Sequence, residues 1–180
     1  MSTIKVNNIE NRTGSSITIG GSSTTSLNLA STITGGTLTN APYFRIKQSA
    51  STSTDSGTLT KVNLDTADFD SDSGLDATNK RWVVPTGKGG KYFLTYQLRF
   101  ESADDFDGCR VSIYINGTSV TTMWWRNEYW ETHSGTWIAD LNAGDYVELY
   151  ARQTSGSSKD VSQTDGGLMT FLSGYRMIGA

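Results

Sequence analysis

Cysteine occurs once in this chain, at Cys109, so no internal disulfide can form. The fold must hold by packing and hydrogen bonding alone. Histidine also occurs once, at His133, with no Cys, His or carboxylate cluster at ligand spacing around it. That excludes a zinc site of the usual kind and leaves Cys109 no redox partner in the sequence. Cys109 therefore reads as a small buried hydrophobe at the start of a strand. Lys and Arg are scattered singly and the net charge is -3, so nucleic-acid binding has no electrostatic support. No apolar run is long enough to cross a bilayer, which argues against membrane insertion. The opening Met1-Ser2-Thr3-Ile4-Lys5 runs straight into polar sequence without a signal peptide, so we expect assembly in a host cytoplasm.

Sustained helical periodicity is missing too, whereas strand formers dominate every apolar run. Gly, Ser, Thr and aromatic residues are plentiful. An all-β chain is the expectation, with strands at Tyr43–Lys47, Thr58–Leu64, Trp82–Val84, Tyr92–Phe100, Arg110–Ile115, Val120–Trp125, Thr136–Leu141, Tyr146–Arg152 and Leu168–Met177. About ten strands in all suit a two-sheet jelly roll. Ser49 to Gly57 reads as a polar loop and Asp65 to Thr78 as an acidic one. Asn116-Gly117 is a hairpin signal. Ala143-Gly144-Asp145 reads as a tight turn between two strands.

Ala41-Pro42 marks a boundary. Aromatic residues are absent from residues 1–41, and about half of these positions are Ser, Thr or Gly. Apolar residues nevertheless recur there: Ile4, Val6 and Ile9, then Ile17 and Ile19, then Leu27 and Leu29. Two or three apolar residues per segment cannot make a core in one chain, but three chains can pool them along an axis. Residues 1–41 are thus expected to be a short Ser/Thr/Gly-rich β stalk, with Ile4, Val6, Ile9, Ile17 and Ile19 as the anchor. A flexible tether is the other reading. Residues 42–180 form the globular part.

Four motifs of that globular part occur in a telling order. They are Phe69-Asp70; Lys80-Arg81-Trp82-Val83-Val84-Pro85 with Gly89-Gly90-Lys91-Tyr92-Phe93-Leu94-Thr95-Tyr96; Val111-Ser112-Ile113-Tyr114-Ile115-Asn116-Gly117; and Leu141-Asn142-Ala143-Gly144-Asp145-Tyr146-Val147-Glu148-Leu149 with Phe171-Leu172-Ser173-Gly174-Tyr175. Together they resemble the C1q/TNF-like jelly-roll family. The terminal motif departs from that pattern by one residue, because Leu172 separates Phe171 from Ser173. The resemblance implies a non-enzymatic β-sandwich that buries one sheet face along a threefold axis as a homotrimer. Some C1q-like trimers also hold calcium. Separately, the opening Ser2–Arg12 segment and Gly14–Gly21 resemble the N-terminal segments of tail-fibre and virion-appendage proteins of tailed bacteriophages.

Asp68, Asp70 and Asp72 place a carboxylate at every second residue beside Gly74, a spacing that suits oxygen ligation of calcium. The bland reading is a solvated loop with Phe69 packed inward. The densest aromatic stretch runs from Met123 to Trp137. Within it Trp124, Trp125, Arg126, Asn127, Tyr129 and Trp130 have the composition of a glycan-binding surface, flat faces for sugar rings with polar partners beside them. Core or trimer packing is the competing reading. Trp124 and Trp125 are adjacent, so in a strand they face opposite ways. Glu128 and Glu131 could serve as a glycosidase pair, but no nucleophile elbow, phosphate loop or triad order supports an enzyme. The expected protein is therefore a trimeric virion appendage. Its stalk meets other virion proteins and its knob meets a host-surface glycan or protein. A purely structural capsid or tail decoration protein and a polysaccharide depolymerase are the alternatives.

Overall fold

The computed structural model describes residues 40–101, 107–126, 132–163 and 169–178, with Trp125 and Arg126 as backbone. They belong to the unit Leu38–Ala180 into which the chain's contacts divide it. The strands are β1 Tyr43–Gln48, β2 Thr52–Thr54, β3 Thr60–Lys61, β4 Leu64–Asp70, β5 Leu75–Asp76, β6 Arg81–Val83, β7 Gly90–Arg99, β8 Gly108–Ile115, β9 Thr118–Arg126, β10 Thr132–Leu141, β11 Tyr146–Gln153, β12 Lys159–Val161 and β13 Phe171–Arg176. No helix occurs among the described residues. One sheet runs β10-β7-β13-β1-β4, and the second runs β5-β6-β11-β8-β9 with β3 beside β11. β2 and β12 pair separately.

Alternation decides which residues face inward. Phe44 and Ile46 of β1, Tyr92, Leu94, Tyr96 and Leu98 of β7, and Leu172 of β13 are buried on one side. Trp82 of β6, Val111 and Ile113 of β8, and Val147, Leu149 and Ala151 of β11 meet them from the other sheet. Each full burial of such a side chain stabilises by about 1.5–3 kcal/mol. Trp82 joins the layers. Its ring stacks on Phe44 with centroids 4.0 Å apart and planes at 12°, and it tilts against Tyr92 at 5.7 Å. Gly74 runs against it: an added Cβ there would stand 2.5 Å from Trp82 Nε1 and from the Val83 carbonyl. Gln48 and Gln153, fully buried, close the end of the sandwich beside β2 and β12. Gln48 donates to the Val161 carbonyl at 2.8 Å, and Gln153 donates to those of Thr54 and Ser157.

Several sequence expectations need correction. The acidic segment 65–78 is mostly strand, because β4 pairs with β1 through Phe44↔Asp70, Arg45↔Phe69, Ile46↔Ala67 and Lys47↔Thr66. Its polar residues sit on an edge strand, where charge is tolerated and discourages further pairing. The segment expected as one strand, 58–64, is divided. Thr60–Lys61 pairs with β11, the Val62 amide bonds the Leu149 carbonyl at 2.9 Å, and β4 begins at Leu64. The polar loop 49–57 contains β2. The Ala143-Gly144-Asp145 turn stands where expected, between β10 and β11, and it joins strands of different sheets, since β10 pairs with β7 and β11 with β8. Val84 pins that turn: its amide donates to the Asp145 carbonyl and its carbonyl accepts from Gly144. Asn116-Gly117 does make the β8–β9 hairpin, with φ of 51° and 75° as a two-residue turn of this type requires. The Asn116 side chain also ties the Asp145 turn, donating to Asp145 Oδ1 at 2.8 Å. That bond, with the Asn142 amide, holds the Asp145 carboxyl below its usual range.

The Tyr96 hydroxyl is buried with no hydrogen-bond partner among the described residues and lies against Gly135. A buried, unsatisfied hydroxyl costs about 1–3 kcal/mol, so Tyr96→Phe should leave stability unchanged or raise it. Burial pushes the phenols of Tyr92 and Tyr96 up to about 12, against about 10 in an unfolded chain. Their contribution is complete below pH about 10 and is lost as pH rises through 12. Urea titrations between pH 9 and 12 should therefore show a steep alkaline loss, and Tyr96→Phe should make it shallower.

Candidate functional site

The outward face of the six-stranded sheet is built by register. Arg110 stands opposite Trp124 of β9 and opposite Arg152 of β11. A Trp and two Arg thus form one row across three strands. Trp124 is 41% exposed. The Arg152 guanidinium lies 5.5 Å from its ring centroid, and Arg152 Nε donates to the Gly57 carbonyl at 2.7 Å. Arg110 is held flat on the sheet, donating from Nε to Ser112 Oγ at 3.0 Å and from its terminal nitrogen to Thr122 Oγ1 at 3.2 Å. Further along the same face the cations are answered: Lys61 bonds Glu148, and Arg81 bonds Asp76 at 2.9 Å. Tyr114 packs on Tyr150 at 4.3 Å, and Arg81 lies 4.3 Å over Tyr146.

The outward face of the five-stranded sheet is different in kind. Tyr43 is 47% exposed, Phe69 46%, Ile138 52% and Tyr175 38%. Tyr43 packs against Phe69 at 5.8 Å and Tyr175 stacks on Phe93 at 5.5 Å. The Arg45 guanidinium covers Phe171 at 4.2 Å. Large apolar side chains grouped on one sheet face mark an interaction surface.

The carboxylates chosen for calcium are not brought together. A bulge leaves Asp68 opposite no residue of β1, and it bonds Lys47 and Arg45 instead. Asp70 accepts from the Leu75 amide at 2.7 Å and from Trp82 Nε1 at 3.3 Å. Asp72 meets Lys88 at 2.8 Å and accepts from Ser71 Oγ; the Lys88 bond chiefly lowers its pKa. No group of three or more His, Cys, Asp or Glu fit for a metal occurs among the described residues. The aromatic stretch is also divided. Trp124 lies on β9 of one sheet, while Trp137 lies on β10 of the other, paired with Leu94. Trp125 pairs through its backbone with Cys109. The Trp125 and Arg126 side chains, residues Asn127, Tyr129 and Trp130, and the anchor residues Ile4, Val6, Ile9, Ile17 and Ile19 lie outside the described residues.

Sequence reasoning missed two pairings. Cys109 Sγ and His133 Nε2 meet at 2.9 Å across the sandwich, both buried. Arg110 and Arg152 are brought side by side only by strand register. Neither contact has a local signal, because each joins strands far apart in sequence.

No family model and no curated protein matches the chain. Solved structures do. The globular domain of zebrafish complement 1qA is 12% identical with a TM-score of 0.50, over 76% of this chain and 97% of that one. Murine APRIL is 18% identical with a TM-score of 0.54, over 75% and 98%. The fold is the C1q/TNF jelly roll. At these identities the likeness concerns the fold, and it bears out the fold class expected from the motifs.

An exposed Trp and a core Trp should respond oppositely to truncation. Trp124→Ala should lower the melting temperature only slightly, whereas Trp82→Ala should cost about 3–5 kcal/mol. Paired urea titrations check this.

Proposed function

We propose that the chain is a non-enzymatic, homotrimeric knob protein of a virion appendage, built in the host cytoplasm, whose outer surface contacts a host-cell glycan. The observation that carries it is the contrast between the two outward faces. Tyr43, Phe69, Ile138 and Tyr175 form an apolar surface suited to contact between copies, and cyclic symmetry closes such an assembly. The six-stranded face keeps Trp124 and its arginines for a ligand. C1q and TNF-family likeness supports a binding module over a catalyst. Resemblance of Ser2–Arg12 and Gly14–Gly21 to tail-fibre segments supports the virion setting, with Ile4, Val6, Ile9, Ile17 and Ile19 joining the stalk to other virion proteins.

Incubation with purified host polysaccharide tests the reading. Binding without shortening is expected. Absence of binding would leave a structural decoration protein, and shortening would reveal a depolymerase.

Light scattering should give about three times 19.6 kDa. The double substitution Ile138→Asp with Tyr175→Asp should yield folded monomer, because it places charge on the buried interface. A wild-type monomer at micromolar concentration would refute the assembly.

A further inference from the structure

The row formed by Trp124, Arg110 and Arg152 has a charge imbalance that the rest of its face lacks. Lys61 has Glu148 and Arg81 has Asp76. Arg110 and Arg152 meet no carboxylate among the described residues; they meet hydroxyls, a backbone carbonyl and an aromatic ring. They are also direct cross-strand partners, an arrangement in which like charges repel. This surplus of positive charge stands in a chain whose net charge is -3. An anion lying along the row would relieve the repulsion and occupy donors that the protein leaves to hydroxyls.

We propose that this row binds an acidic saccharide, a pyranose ring bearing a carboxylate. The proposal rests on the reading of the six-stranded face as the ligand surface and names the ligand's class. Guanidinium groups bond a planar carboxylate in a fork, with charge-assisted hydrogen bonds. Trp124 lies beside them, exposed enough to take the apolar face of the ring that carries the acid. Ser112 and Thr122 fix the Arg110 plane, so little side-chain freedom is lost on binding. A surface meant only for neutral sugars would gain nothing from two facing arginines.

The probe is polygalacturonate, titrated calorimetrically into the full chain. Its fully methyl-esterified form, dextran sulfate and inorganic phosphate serve as comparisons. Polygalacturonate should bind, with affinity falling as salt is raised, and the methyl ester should not. Arg110→Gln with Arg152→Gln, and separately Trp124→Ala, should each weaken binding roughly tenfold or more, since each removes charge-assisted bonds or a stacking face. Melting temperatures should stay near wild type, because removing the facing charges relieves repulsion. Should the double variant misfold, Arg152→Lys keeps the charge and loses the fork, and it should still weaken binding. Equal binding of the methyl ester, or unchanged binding by the arginine variants, overturns the proposal. So does dextran sulfate binding as tightly as polygalacturonate and indifferent to Trp124→Ala, which would make the face a general polyanion surface. The broader reading fails separately: a host polysaccharide of neutral sugars that binds through Trp124 removes only the acidic class, whereas particles that adsorb normally without this protein remove the receptor-contact role.

Discussion

The sandwich depends on one inter-sheet contact, the Trp82 ring pressed on Phe44 and flanked by Tyr92. Without a disulfide, something must fix the spacing and rotation of the two sheets, and large interlocked rings do it. Such stacking adds about 0.5–1.5 kcal/mol beyond burial. The surroundings follow from that ring. Gly74 lacks a side chain because the indole and the Val83 carbonyl fill its space. Asp70 accepts from the indole nitrogen, so the ring's polar atom is not stranded. The adjoining Val84 then holds the Gly144-Asp145 turn through two backbone bonds.

Once the inner faces are committed to this core, contact with anything else is left to the outer ones. The two differ in kind. The five-stranded sheet turns Tyr43, Phe69, Ile138 and Tyr175 outward, the apolar group on which the proposed contact between copies rests. The six-stranded sheet turns out tyrosines, arginines and Trp124, the mixed surface on which we place the proposed ligand. In the proposed assembly one face is hidden and the other displayed.

How much of this could be read from the sequence depends on whether the signal was local. The segment Tyr146–Arg152 was legible as a strand, and its alternate residues Val147, Leu149 and Ala151 are buried. Asn116-Gly117 specified its turn by its own backbone preferences. Edge strand β4 was read as a loop because its partners for Asp68, Arg45 and Lys47, lie on a strand some twenty residues away. The same limit applies to Leu141 to Leu149, where turn chemistry marked a turn between two strands but does not say which sheet receives the second. At the candidate site, Trp124 stood out by composition. Arg110 and Arg152 did not, because only the β8–β11 register brings them together.

The central claim is that one sheet face is buried between copies while the other stays open. Hydroxyl-radical footprinting of the full chain, read residue by residue, tests it most directly. The account predicts that Tyr43, Phe69 and Tyr175 are protected at micromolar concentration and become reactive in the Ile138→Asp, Tyr175→Asp background where they remain, while Trp124 oxidises freely in both. Tyr43 and Tyr175 oxidising in the wild-type protein as readily as Trp124 would contradict it.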